Sequence, residues 1–442
     1  MSNRLKIEVG EYKSQRVPAP APTPADLRLA GMLEQSADGP RLRVRWLING
    51  DIEINASAWV GVVRFSSVDV HVTPKVLGSN QRLLKLLDYT RGTRFLRTLE
   101  NRRPLGASGE SLVDLLSALL AEEAATLLRE GLLRRYRPTH EDLAMVRGRI
   151  DHRTQLLRHF GRLDRLRCSF DEHDADNVEN QLVCAGLDVA RGVAVDTTTR
   201  SNLNRLRSLF VEACTPPPVG SAWYRGPITY SRLNERYRAA HELAYLLLEN
   251  IAFDDLYDTD GRLGVRSFLL NMNSLFEEFV SKVFSDALAG SDLIIAPKQR
   301  LREAIVHADT RTTHSPIVPD IVLAKWSPTG SPEPRLPIDC KYKLYDERSL
   351  STADIYQMFT YALALSAPGY EPRAGIVYPG LRTAVTTRLD VTPRTGPARA
   401  RITGVSLQVP DALDQIRLGS ALPSELVEQI RDLVRAIAVD FS

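Results

Sequence analysis

Neither a CxxC pair nor a histidine at zinc-finger spacing accompanies the four cysteines, Cys168, Cys184, Cys214 and Cys340. A disulfide framework and a structural zinc are therefore not expected, and a reducing setting is. The opening MSNRLKIEVGEY has no apolar signal region, and no run reaches the ~18 apolar residues a spanning helix needs. A cytoplasmic protein with no membrane attachment is expected. No GxxxxGK[ST] phosphate loop occurs, so any nucleotide-driven motor has to come from another polypeptide. Low-complexity tracts and internal repeats are also missing. Net charge is only +3, which by itself does not announce a nucleic-acid binder.

What is present is an average globular composition, with 43% hydrophobic and 25% charged residues. That excludes wholesale disorder. At 442 residues, and with ~150 residues per domain, two or three units are expected. Charge is unevenly placed: Arg129 to Arg167 holds eleven arginines, no lysine and five acids. Guanidinium groups suit phosphate because each can bond two oxygens; a solvated helical face with internal ion pairs is the other reading.

Residues 1–80 read as β-rich. Leu5 to Val9 is strand-like, VPAPAPTPAD reads as an exposed connector that is neither helix nor central strand, and period-2 alternation follows. Asn49-Gly50 marks a hairpin turn. On that hairpin Arg41, Arg43 and Arg45 alternate with Leu42, Val44 and Trp46, so the arginines share one face. This stripe suits acidic or phosphate-bearing groups of a partner, or simply solvent. Residues 81–255 read as mostly helical, from LVDLLSALLAEEAATLLREGLL onward. Residues 256–442 switch to helix, strands, helix, strand, which makes an α/β sandwich.

Chemistry concentrates in that last unit. Asp320 opens one expected strand and Asp339 lies on the next, so a hairpin with a long loop from Lys325 to Glu333 brings both carboxylates to one end. Such hard oxygens suit Mg²⁺, which takes one or two carboxylates and keeps several waters. Asp339 and Lys341, two apart on a strand, face the same way and put an ammonium beside the cation. Cys340 faces the core, with its carbonyl free for the metal. Gln357 and Tyr361 share one helix face and reach toward phosphate or Lys341, Tyr361 also reading as a plain core aromatic. Glu277 offers a further oxygen, or forms an ordinary solvent-facing pair with Glu278.

The ordered set Glu277, Pro319-Asp320, Asp339-x-Lys341 and Gln357-x-x-x-Tyr361 resembles the PD-(D/E)XK nuclease superfamily in its RecB-like branch. NSLFEEFV (273–280), PDIVL, IDCKYK and ADIYQMFTYA, with GVVRFSSVDVHVTPKV, EGLLRRYRPTHEDLAMVRGRID and DADNVENQLV upstream, resemble the McrC family more closely. That resemblance implies a Mg²⁺-dependent endodeoxyribonuclease subunit of a McrBC-type, modification-dependent restriction system in antiviral defence. It implies a catalytic set of Asp320, Asp339, Lys341, Gln357 and Tyr361, with Asp320, Asp339, Cys340 and Glu277 toward the metal. It also implies double-stranded, methylated DNA as substrate and a McrB-like AAA+ GTPase as partner, engaged through the N-terminal part. Residues 1–80 then become a docking domain whose deletion leaves a folded remainder. A RecB-like repair or recombination nuclease, and a non-catalytic activator of an AAA+ ring, are the alternatives.

Overall fold

The computed structural model describes residues 4–36, 39–92, 111–160, 162, 164–217, 220–251, 267–298, 300–325, 333–343, 345, 349–366, 371–395, 399–417 and 421–438. The architecture is mixed α/β.

The chain begins with β1 (Leu5–Gly10), β2 (Ser14–Pro18), α1 (Pro24–Glu34), β3 (Leu42–Trp46), β4 (Asp51–Ala56), β5 (Trp59–Arg64) and β6 (Val68–Thr73). The Asn49-Gly50 hairpin forms as expected, with Gly50 at φ 86° and Trp46 opposite Ile52. The Pro/Ala-rich stretch is not the plain connector expected. Val17 and Pro18 end β2, an edge strand where a missing N–H costs nothing. Pro24 opens α1, where Thr23 caps the Asp26 amide and the Asp26 carboxylate answers the Thr23 N–H. Proline in the first helical turn behind a capping residue favours a helix.

Four strands in the order β1-β6-β5-β10 make the sheet that joins the two ends of the chain, since β10 (Ser267–Asn271) runs antiparallel to β5. Every residue of β5 is buried. Trp59 and Val63 face a small core with α1, β3 and β4, while Val60 and Val62 face the large helical core.

The middle of the chain supplies α2 (Asn80–Arg91), α3 (Leu112–Glu130), β7 (Arg135–Leu143), β8 (Arg149–Ile150), α4 (His152–His159), β9 (Leu166–Asp174), α5 (Val178–Val193), α6 (Thr197–Ala213), α7 (Ser221–Arg225) and α8 (Arg238–Glu249). The expected helices at 176–192 and 199–212 are present. The Arg-rich stretch is not a helical face: past α3 it forms the sheet β7-β9-β8 with α4. RYRPTHEDL is polar nearly throughout, which leaves β7 largely exposed, and Arg135, Arg137, Arg147, Arg162 and Arg167 each have an acidic partner.

After β10 come α9 (Met272–Leu288), β11 (Leu293–Ile295), β12 (Leu301–Val306), β13 (Thr313–Ile317), β14 (Ile321–Lys325), β15 (Glu333–Cys340), α10 (Thr352–Leu365), β16 (Arg373–Pro379), β17 (Ala384–Val391), β18 (Ala400–Leu407), α11 (Val409–Gln415) and α12 (Ser424–Ala438). Six of these strands form one sheet in the order β11-β14-β15-β16-β18-β17. Helices α9 and α12 cover one face and α10 the other. Most of the loop expected between Lys325 and Glu333 lies outside the described residues, but its ends pair as the hairpin requires.

Candidate functional site

The antiparallel β14–β15 pair runs from Lys325 opposite Glu333 to Ile321 opposite Ile338. Asp320 therefore stands immediately before β14 and beside the last residues of β15. Parallel pairing with β16 covers only Ile338 to Cys340, so Pro337 sits where no β16 partner asks for its N–H. Past Cys340 the ladder ends. Lys341 lies one residue beyond the strand but still donates its N–H to the Val377 carbonyl at 2.9 Å.

Asp320 and Asp339 meet at that end. Asp320 Oδ2 accepts the Cys340 N–H at 2.8 Å. Asp339 is buried, and its Oδ2 lies 2.6 Å from the Lys341 ammonium without receiving an aligned hydrogen bond. Burial pushes the Asp320 carboxyl up to about 7, the Asp339 charge adds to the rise, and the Cys340 N–H opposes it. Burial raises Asp339 as well, against the Lys341 ammonium. Two crowded carboxylates cannot both ionise easily without a counter-charge. Lys341 is held charged: burial works against it, but Asp339 raises it above an ordinary lysine.

The helix α10 completes the contact chain. Lys341 Nζ donates to Gln357 Oε1 at 3.0 Å, and Gln357 Nε2 donates to the Tyr361 hydroxyl at 2.9 Å. Tyr361 is thus both a core aromatic and the anchor of Gln357. The Cys340 side chain joins the large core, as expected, and burial raises its thiol well above the usual range. Glu277 is near enough to raise Asp320, yet its Oε1 is taken by Lys298 Nζ at 2.5 Å. Glu278 is exposed and approaches Arg91 at 3.7 Å instead.

Two charged neighbours were missed in the sequence. Lys298, in the turn after β11, is raised despite burial by Glu277 and Asp320. Asp354 lies 3.9 Å from Lys341 Nζ and 3.2 Å from Lys343 Nζ. The spacing Asp354-x-x-Gln357 puts it on the same helix face, but Ser351-x-x-Asp354 reads first as a helix cap, which it also is. Lys298 had no local pattern to announce it.

Among the described residues no three His, Cys, Asp or Glu side chains gather into a metal cage, and no helix is long and apolar enough to cross a membrane. The site is two carboxylates and an ammonium at the end of a mixed sheet, an arrangement of hard oxygens beside a lysine. The chain belongs to the family of McrBC 5-methylcytosine restriction system components, whose model matches residues 54–379. The resemblance read from the motifs holds at that level. A chain from the half-complex of Thermococcus gammatolerans McrB AAA+ hexamers with bound McrC is similar in fold, with 18% identity, a TM-score of 0.60 and coverage of 98% of this chain and 100% of that one. A chain of the Thermococcus gammatolerans McrBC complex is 19% identical over 64% of this chain and 88% of that one, with a TM-score of 0.45. No curated protein matches.

Proposed function

We propose that this chain is the DNA-cutting, McrC-like subunit of a modification-dependent restriction system. In this reading residues 256–442 form a PD-(D/E)XK-type nuclease unit, and the chain works with a McrB-like AAA+ GTPase on double-stranded, methylated DNA. The observation that carries it is the continuous contact path Asp339–Lys341–Gln357–Tyr361 beside Asp320, in a chain of the McrBC family.

The donors fit Mg²⁺. Asp320, Asp339 and the Cys340 carbonyl are oxygen ligands, and two carboxylates are what Mg²⁺ takes while keeping water. The buried Asp339 Oδ2, lacking an aligned hydrogen bond, is the atom most in need of such a partner. Glu277 pairs with Lys298 through Oε1, so its second carboxylate oxygen is the one that would add a ligand. Held by these oxygens, Mg²⁺ would supply Lewis-acid activation of the phosphodiester and of water. Lys341, with its ammonium fixed between Asp339 and Gln357, orients the attacking water and stabilises charge growing on the phosphate. Tyr361 positions Gln357 for that task, and the Asp354 charge adds to that of Asp339 in holding Lys341 cationic.

The test is cleavage of methylated plasmid by the full chain with its AAA+ partner, GTP and Mg²⁺. Asp320→Asn and Asp339→Asn are expected to abolish cutting. Lys341→Ala lowers its rate by ~10² or more with Mg²⁺ binding unchanged. Parental rates from either Asp variant rule out the site, and a Lys341→Ala chain that loses Mg²⁺ but keeps its turnover reverses the assigned roles. Normal stimulation of the partner's GTPase with no cutting by the parent chain favours the non-catalytic activator.

A further inference from the structure

The turn between β1 and β2 reaches across 330 residues of sequence to the end of β15. Tyr12 donates its hydroxyl to the Tyr342 carbonyl at 2.9 Å. Beside it, Glu11 is fully buried, and its Oε1 accepts both the Lys75 N–H at 2.9 Å and the Tyr342 hydroxyl at 3.3 Å. The other oxygen, Oε2, has no hydrogen-bond partner.

Three features set this turn apart from an ordinary β-turn. Tyr12 adopts φ 56°, in the left-handed region where glycine or asparagine is usual and a bulky aromatic is rare. A buried carboxylate with one unbonded oxygen is costly and persists only where its surroundings demand it. The turn is also pinned to both N-terminal sheets: Glu11 N–H bonds Thr73 O at 3.1 Å, and the Lys13 carbonyl accepts the Ala56 N–H at 2.9 Å. The turn is thus tied at both ends and holds its side chains in place at some conformational expense.

What those side chains hold is the stretch that carries the lysine. Beyond Cys340 the ladder stops, and Lys341 keeps a single sheet bond, to Val377. The next residue, Tyr342, is buried against Phe276, whose neighbour Glu277 faces the carboxylates. Its hydroxyl and carbonyl both need partners there, and both find them on the β1–β2 turn.

We propose that Glu11 and Tyr12 are positioning residues for Lys341, clamping the backbone at Tyr342 so that the ammonium stays beside Asp339 and Gln357. The clamp rests on the nuclease reading for its purpose, though not for its existence. It also gives the N-terminal sheets a direct mechanical hold on the reacting end of β15. A partner that shifts those sheets changes the lysine's position without touching the C-terminal unit.

The test is Tyr12→Phe in the full chain, which removes one hydroxyl from a half-exposed ring and keeps the fold, as a single cooperative melt within a few degrees of the parent's verifies. Tyr342→Phe removes the other bond of the clamp, from the Tyr342 hydroxyl to Glu11, and serves as the second variant. Loss of one hydrogen bond worth ~1 kcal/mol is expected to speed amide exchange across Lys341–Lys343 by about fivefold, read by mass spectrometry without metal or DNA. In the cleavage reaction kcat falls about as much while KM for DNA stays constant. Unchanged exchange in both variants overturns the clamp whether or not the chain cuts DNA. Faster exchange with parental kcat, or a rise in KM alone, overturns the positioning role. A parent chain that cuts nothing removes the nuclease reading, and the exchange measurement still decides the clamp.

Discussion

At the candidate site, side chains from two neighbouring strands and one helix meet others that come from distant segments of the chain. Asp320, Asp339, Lys341, Gln357 and Tyr361 fall at strand and helix spacings that sequence reveals, and the structure brings them together. Lys298 and Glu11 arrive from remote segments, and only tertiary contact shows them. His241 is a third such case. It is buried between the Tyr230 hydroxyl at its Nδ1 and the Glu179 carbonyl at its Nε2, both at 3.0 Å. Burial depresses its pKa from 6.5 to about 4, against the pull of Glu179. The unfolded chain therefore takes up a proton below about 6.5 that the folded chain refuses until about 4. Stability from this group is intact above pH 6.5 and lost as pH falls toward 4. Between pH 7.5 and 5 the loss is about 2 kcal/mol. His241→Gln is expected to flatten the stability–pH curve by that amount in urea titrations. Parallel curves for parent and variant count against a buried neutral imidazole.

At the scale of elements, periodicity gave the long helices and the Asn49-Gly50 hairpin, but it misjudged stretches where two signals compete. VPAPAPTPAD reads as a linker by composition, yet Thr23-Pro24 with Asp26 is a helix start. The Arg-rich stretch reads as a polar helical face, yet pairing with β9 makes part of it the strand β7. Strand β5 is buried on both faces, by the small core on one side and the helices on the other, and β10 closes its edge. Gly61 makes that closure possible: at φ 150° a Cβ there would lie 2.0 Å from the Phe268 carbonyl oxygen on β10. Gly61→Ala is expected to destabilise the protein by about 3 kcal/mol, because the neighbour in conflict is backbone and cannot swing aside. Gly31, inside α1, has nothing within 4 Å of its virtual Cβ. Gly31→Ala should instead stabilise by ~0.5–1 kcal/mol. Chemical denaturation of the two variants reads both signs. Equal effects would mean that the β5–β10 approach is looser than the geometry shows.

For the whole molecule, the sequence divides the chain at about 80, and the composition shifts there are real. What sequence could not show is that the strand at 267–271 returns to the N-terminal sheet, because a non-local pairing leaves no local pattern. Deleting residues 1–80 was expected to spare the rest, but it would strip β5 from β10 and take Ala58, Val60, Val62 and Leu77 out of the large core. Leu269, whose packing partners in the small core all lie within residues 1–80, would then face water, at ~25 cal/mol per Å² of apolar surface. The prediction is that residues 81–442 alone show no cooperative thermal transition and lose near-ultraviolet circular dichroism, while the full chain melts in one step. A cooperative melt of the truncated chain near the parental temperature would overturn it. Truncation is then a poor test of partner docking, and surface substitutions in the full chain replace it. The arginine stripe is partly answered from within: Arg43 and Arg45 share the Glu34 carboxylate at 2.7 and 3.4 Å, and Arg41 lies over Trp59 at 4.8 Å. Arg43→Ala with Arg45→Ala removes two charges but leaves Trp59 covered, so the melt should stay within a few degrees of the parent, since exposed ion pairs contribute ~0.2–1 kcal/mol each. Measured GTPase stimulation in that folded double variant separates a docking stripe from a solvated one: a loss assigns contact to the stripe, and full stimulation assigns it elsewhere.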